Sequence, residues 1–322
     1  MISAPDFEKK QILFLFTSEG DKLSFSNDNI VIKDKDGVIK HQSTCYRIFM
    51  LFVIGNMTIT SGLIQRAQKF GFTICLMNRN MKVYDSFGTT MNGNVLLRSK
   101  QYQYTGLDVG KHIIINKISN QRDALRGIRF RTTRMNECID KLDEYTNILA
   151  SRTLSIHEIM GIEGLAARIY FREMFCDYSW TGRKPRIKRD YINSTLDIGY
   201  TILFNIIDGL VGSYGFDKYQ GVLHTQFYMR KSLVCDLVEP FRPLIDLQVR
   251  KSLNYGQCKE EDFERVDERV LLKWKMSPKY TSFLAQSIID RKQDLFLYIQ
   301  GYYRAVMKQK HVEDYPIFQI RG

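Results

Sequence analysis

The feature that most restricts the fold is a single change of hydrophobic period along the chain. Up to residue 88, short β-prone runs alternate with turn signals. "QILFLFTSEGDKLSFSNDNIVIKDKDGVIK" carries turns at Glu19-Gly20, Asn27-Asp28-Asn29 and Asp36-Gly37. "RIFMLFVIG" is apolar throughout and predicts a buried strand. "TSGLIQRAQKFG" predicts a short helix capped by Thr60 or Ser61 and ended by Gly71. "FTICLMNRNMKVYDSF" returns to strand around an Asn-Arg-Asn turn. From Val95 the period is helical and stays so. With no internal repeat, this order predicts an α+β chain of two domains. Residues 1–88 form a small, β-rich, β-sandwich-like domain, 89–94 a linker of turn composition, and 95–322 a larger all-α domain.

Charge narrows the partners. The chain has 47 basic against 35 acidic residues, a net +12 that speeds encounter with polyanions. Nucleic acid is the leading candidate. An acidic membrane surface comes second, and no concentrated basic amphipathic stripe supports it. The longest apolar run, "IFMLFVIG", falls far short of the ~20 residues of a membrane helix. The N-terminus lacks the build of a signal peptide. Six scattered cysteines without a C-x-x-C pair predict reduced thiols and a cytoplasmic protein. Neither a phosphate-binding G-x-x-x-x-G-K-[ST] loop nor a G-x-G-x-x-G fingerprint is present, and "HEIMG" at His157 lacks the second histidine of a zinc protease.

Basic residues gather in two runs of the helical part. "RDALRGIRFRTTR" supplies Arg122, Arg126, Arg129, Arg131 and Arg134. "GRKPRIKR" supplies Arg183, Lys184, Arg186, Lys188 and Arg189, between Trp180 and Tyr191. Each reads either as a solvated face or as a phosphate-gripping element. Proline, charge and aromatics together suit the second run to a loop on nucleic acid.

One carboxylate is out of place. "SIHEIMGIEGLAARIYFREMF" opens with an S-x-x-E capping box, Ser155 to Glu158. Stepped at ~100° per residue, Ile159, Ala166, Ala167 and Tyr170 share an apolar arc, and Glu163 falls within it. A charge left alone there costs several kcal/mol. Glu163 is therefore a buried salt bridge to an arginine, a metal ligand or a catalytic acid. Gly161 and Gly164, unfavourable in a helix by roughly 1 kcal/mol each, imply close approach by another segment or a ligand.

A second stretch, "LHTQFYMRKSLVCDLVEPFRPLID", holds His224 and the acids Asp236, Glu239 and Asp246. Asp236 and Glu239, three apart, stand one above the other on a helix, and read alone they mark a solvated face. On one unbroken helix His224 would lie ~22 Å from Glu239. A shared ion therefore requires a break near "YMRK", with Ser232 capping a second helix.

Taken together, "GIEGLAARIYF", "NSTLDIGYTIL", "GFDKYQGVLH", "SLVCDLVEPFRPLID" and "IGNMTITSGLIQRAQKFGFTICLMNRN" resemble the CRISPR-associated adaptation integrases, over nearly the whole chain and in the right order. The resemblance implies a dimerising N-terminal domain and a divalent-metal site in the helical domain. Glu163, His224 and Glu239 occupy the family's ligand positions for Mg²⁺ or Mn²⁺, with Asp236 beside them as a further catalytic residue. It implies a homodimer that works with a small second adaptation subunit, inserting spacer DNA into a CRISPR repeat by 3′-hydroxyl attack. Arg183, Lys184, Arg186, Lys188, Arg189, Lys231 and Arg242 are the candidates for holding DNA. A stand-alone nuclease for branched DNA and a non-catalytic nucleic-acid scaffold are the alternatives. Three departures stand out: Lys218 where proline is common, Met229 to Lys231 where Gly or Pro makes a turn, and Pro240 directly after Glu239.

Overall fold

A computed structural model describes residues 3–88, 93–185, 187–224 and 227–320. Most of the expected linker, residues 89–92, lies outside them, as does Arg186. Contacts divide the chain into two compact units, Met1–Gly93 with Gly212–Gly215, and Asn94–Val211 with Phe216–Gly322.

The first unit runs α1 (Ala4–Glu8), β1 (Gln11–Phe16), β2 (Lys22–Ser26), β3 (Asn29–Lys33), β4 (Ile39–Thr44), β5 (Ile48–Ile54), α2 (Ser61–Phe70), β6 (Thr73–Met77) and β7 (Val83–Phe87). Every residue of β5 is buried. That is the signature of a strand covered on both faces, and β5 lies inside a sheet of order β1-β5-β6-β7, parallel to β1 and to β6. The parallel step from β5 to β6 needs a crossover, and α2 provides it. Thr60 caps α2 by accepting from Leu63 N, and Gly71 ends it in the left-handed region at φ 72°. A second, antiparallel sheet is ordered β2-β3-β4. Leu15, Leu51, Val53 and Ile74 of one sheet, Leu23, Ile30 and Ile32 of the other, and Leu63 and Ala67 of α2 share one apolar core.

The second unit is helical: α3 (Val95–Gln103), α4 (Asp108–Arg126), α5 (Thr133–Ser151), α6 (Ile156–Met174), α7 (Tyr191–Tyr214), α8 (Ser232–Val238), α9 (Arg242–Asn254), α10 (Ser277–Ile289) and α11 (Lys292–Lys308). It also contains one short hairpin, β8 (Phe263–Val266) with β9 (Arg269–Leu272), turning through Asp267 at φ 55°. Four-residue strands are too short to interrupt a helical period visibly, which is why the sequence reads as helix throughout. Helix α7 is long and apolar enough to cross a membrane by length and composition, but 83% of that window is buried inside the fold. It carries buried Asn193, Thr195, Asn205 and Asp208, as a core helix can when those groups find partners.

Helix α7 approaches its neighbours closely at Gly199. A Cβ there would lie 2.5 Å from Cγ2 of Ile245 on α9 and 3.1 Å from Cδ2 of Leu284 on α10. Gly199→Ala thus sets a helix-propensity gain of about 1 kcal/mol against overpacking of about 1–3 kcal/mol. We expect net destabilisation of about 1 kcal/mol, read as a lower urea midpoint with unchanged m-value.

Candidate metal centre

Three segments build the site. Helix α6 starts at the expected capping box, with Ser155 Oγ and the Glu158 carboxylate each bonding the other's backbone N–H, and this fixes the phase that presents Glu163. The side chain of Glu163 is largely covered and pairs with Lys117 of α4, not with an arginine. Lys117 Nζ also lies 2.6 Å from Glu239 Oε2. One ammonium therefore stands between the two carboxylates. Gly161 and Gly164 face open space, with nothing within 4 Å of a Cβ built on either. Among the described residues no chain segment approaches them, which leaves the ligand of the two expected neighbours.

Asp236 and Glu239 are not a solvated face, because both are buried. Pro240 explains where Glu239 points. It stops α8 and forms a 3₁₀ turn, Glu239–Phe241, and the chain restarts as α9 at Arg242 with Pro243 in the first turn. Asn120 of α4 donates to the Pro240 carbonyl at 3.1 Å, which ties this turn to the helix that carries Lys117. Arg242 Nε donates to Glu239 Oε1 at 2.9 Å while its guanidinium lies 4.7 Å over the Tyr200 ring. Burial pushes the Glu239 carboxyl up, yet Arg242 and Lys117 outweigh it and hold it down at about 2, with His224 near enough to add to the effect. The same carboxylates outweigh the effect of burial on Lys117, whose ammonium is held above its ordinary range.

His224 enters from the loop before α8, and Asp236 arranges that loop. Asp236 Oδ2 accepts from Val222 N at 2.7 Å and Leu223 N at 3.1 Å; Oδ1 accepts from His224 N at 3.0 Å and pairs with His224 Nδ1 at 2.6 Å. In the neutral ring, donation from Nδ1–H to Asp236 leaves the lone pair on Nε2. Gly221 makes this possible, since a Cβ there would sit 2.7 Å from Asp236 Oδ2 and 2.9 Å from Ser232 Cβ. Both Asp236 oxygens are thus engaged by the loop that carries the imidazole. Lys231, not Ser232, occupies the N-cap position of α8. The turn before it holds Met229 left-handed at φ 59°, the conformation a glycine favours.

Among the described residues, no three His, Cys, Asp or Glu side chains converge closely enough to hold an ion. The donor chemistry nevertheless suits a divalent cation. Two carboxylates aim at one positive charge, and buried Glu239 Oε2 makes an ion pair with Lys117 without a well-aligned hydrogen bond. The imidazole is oriented by a carboxylate, as metal-ligating histidines commonly are. Glu163, Glu239 and His224 Nε2 are the groups that could hold Mg²⁺ or Mn²⁺.

Of the remaining candidates, the Arg183 and Lys231 side chains are held by acidic partners. Arg183 reaches Asn193 Oδ1 at 2.9 Å and Asp197 Oδ1 at 2.5 Å. The Lys184 backbone N–H donates to the same Asn193 oxygen. Lys188 is half-buried, which lowers its amine against the pull of Asp197, and its carbonyl accepts from Val270 N. Lys231 pairs with Asp208 at 3.0 Å, and Arg189 is exposed. In the first basic run Arg122 and Arg126 both pair with Asp143.

Sequence reading assigned no role to several residues that shape the site. Lys117 lies on the buried stripe of α4 with Ile113, Ile114 and Ile118, the same anomaly that singles out Glu163, with opposite charge. Asp246 braces α9 against Tyr170 of α6 and Tyr200 of α7 through their hydroxyls. Burial raises its carboxyl to about 6 against those bonds and the nearby Arg183 and Arg242. Asn116 and Asn120 dock the C-terminal segment by exchanging hydrogen bonds with the backbone of Phe318 and Ile320.

A sequence profile described as "CRISPR associated protein Cas1" matches residues 14–285. A CRISPR-associated endonuclease Cas1 of Rhodospirillum rubrum is 30% identical over 275 residues, covering 80% of each chain. Another from Thermodesulfovibrio yellowstonii is 28% identical over 81% of this chain and 86% of its own. Among solved structures, a Cas1 protein from Thermotoga maritima superposes with a TM-score of 0.79 at 18% identity, covering 96% of this chain and all of that one. A Cas6-RT-Cas1–Cas2 complex gives 0.81 at 21% identity over 98% of this chain, which spans 36% of that longer polypeptide. A casposase bound to integration product gives 0.74 at 20% identity, covering 97% and 96%. The chain belongs to the Cas1 family of CRISPR adaptation proteins. That membership supports an enzyme of the nuclease or integrase kind acting on DNA.

Breaking a buried ion pair by removing one partner costs about 3–5 kcal/mol. Lys117→Met is therefore expected to lower stability by about that much in EDTA, measured by urea unfolding at pH 7. Acid should show the same electrostatics. Glu239 titrates near 4.5 ordinarily and at about 2 when folded, so its contribution is complete above about pH 4.5 and is lost as pH falls toward 2. It amounts to about 3 kcal/mol. In EDTA the stability gap between wild type and Glu239→Gln should shrink over that window, followed by circular dichroism.

Proposed function

We propose that the protein is a divalent-metal-dependent DNA integrase that inserts spacer DNA into a CRISPR array. The observation that carries this reading is the meeting of Glu163 and Glu239, from two distant helices, on one positive charge beside an imidazole oriented by Asp236. In this reading the 3′-hydroxyl of a spacer precursor attacks a phosphodiester of the repeat. A new P–O bond forms, the old one breaks, and the leaving strand departs with a 3′-hydroxyl; with water as nucleophile the same site would nick DNA. Bound Mn²⁺ or Mg²⁺ supplies electrophilic stabilisation of the phosphate oxygens. Glu163, Glu239 and His224 Nε2 would hold it, with Asp236 fixing the imidazole tautomer. Arg242 keeps Glu239 ionised and aimed inward. Exposed Arg189 and the loop that Asn193 ties down would supply basic side chains to a duplex backbone.

Residues 1–88 would serve as the dimerisation domain and 95–322 as the catalytic domain, acting in the cytoplasm with a Cas2-like subunit. The solved complex containing Cas1 and Cas2 supports that partner. A second reading, a nucleic-acid scaffold without catalysis, draws on the Lys117–Glu163 ion pair, which accounts for the misplaced acid with no metal at all. The two separate on one assay, with partner subunit, a duplex with 3′ overhangs, a supercoiled array plasmid and Mn²⁺. Wild type should join the duplex covalently to the plasmid. Glu163→Ala and His224→Ala should abolish joining while retaining DNA binding, and Asp236→Asn should lose about 10–100-fold in rate or metal affinity. Wild-type integration by Glu163→Ala would refute the site.

A further inference from the structure

Lys117 does more than neutralise a buried acid. Its ammonium contacts both carboxylates assigned as ligands, one on α6 and one at the end of α8, and it arrives from a third helix. The second cation on Glu239 is of another kind. Arg242 holds the outer oxygen through Nε and rests on the Tyr200 face, a rigid planar clamp. Lys117 is a point charge on a flexible four-carbon stem, and such a group can swing away without moving its helix. The stem is anchored independently, because Asn116 and Asn120 fix α4 to the C-terminal segment on either side of it. A divalent ion between Glu163 and Glu239 would stand within a few ångströms of the ammonium, in a space where charges repel strongly. Both cations cannot occupy it.

We propose that Lys117 is a displaceable resident cation: without metal it holds Glu163 and Glu239 converged, and it leaves the pair when a divalent ion enters. The inference rests on the metal reading above. It makes Lys117 a positioning residue that competes with the ion, so that metal binding and movement of the side chain are one event. The freed amine is then available to an anionic group arriving at the ion, such as a phosphate.

Two measurements on the full chain test this. Calorimetric titration with Mn²⁺ should show Lys117→Met binding at least about tenfold more tightly than wild type, as removal of a competing cation requires. Wild-type or weaker affinity in Lys117→Met, with clear binding by both, would overturn the displacement and leave the metal site standing. Absence of Mn²⁺ binding by both proteins would overturn the two readings together. Wild type itself supplies the second measurement, which does not depend on how the variant folds. Amine acetylation read by mass spectrometry should label Lys117 slowly in EDTA and at least about fivefold faster in saturating Mn²⁺. Equal or slower labelling with Mn²⁺ would sink the proposal.

Discussion

Two carboxylates and an ammonium share a space nearly closed to water, and much of the helical unit is arranged so that they can. A buried charge is tolerated only with a partner. The pairing of Lys117 with Glu163 and Glu239 therefore dictates where α4, α6 and the end of α8 must lie. The supports around it answer the same demand. Arg242 takes the second Glu239 oxygen, Tyr200 takes the face of Arg242, and Asp246 takes the hydroxyls of Tyr200 and Tyr170. Tyr170 lies seven residues from Glu163, two turns along the same helix. Polar contacts thus run from the site into the core and back.

Much of the fold was legible because it rests on local rules. The all-apolar β5, the Thr60 cap, left-handed Gly71 and the Ser155–Glu158 box are each decided within a few residues. The β8–β9 hairpin was not, since four-residue strands carry too little pattern. Glu163 stood out because a charge on an apolar arc is a contradiction that only tertiary structure resolves. Lys117 presents the same contradiction on α4. Sequence alone cannot show that the two resolve each other, because they are 46 residues apart. The glycines of α6 are ambiguous for the complementary reason: a missing side chain suits a neighbouring segment and a ligand equally well, and among the described residues no segment comes within 4 Å of a Cβ built there.

Asp236 and Glu239 show most clearly where spacing stops being informative. Three residues apart, they should share a face and a role. The structure gives them different work. Asp236 lies within α8, faces the loop that contains Gly221, and spends its oxygens on three backbone N–H groups and one imidazole nitrogen. Glu239 lies where Pro240 ends the regular helix, and the 3₁₀ turn carries it toward α4 and Arg242. A proline that looked misplaced within a helix is what separates a residue that builds the histidine loop from one free to face a cation. Asn120 holds the Pro240 carbonyl from the helix that carries Lys117, so the position of the turn and that of the lysine are set together. A substitution that relaxed this turn would therefore disturb Glu239 first and leave the His224–Asp236 pair in place.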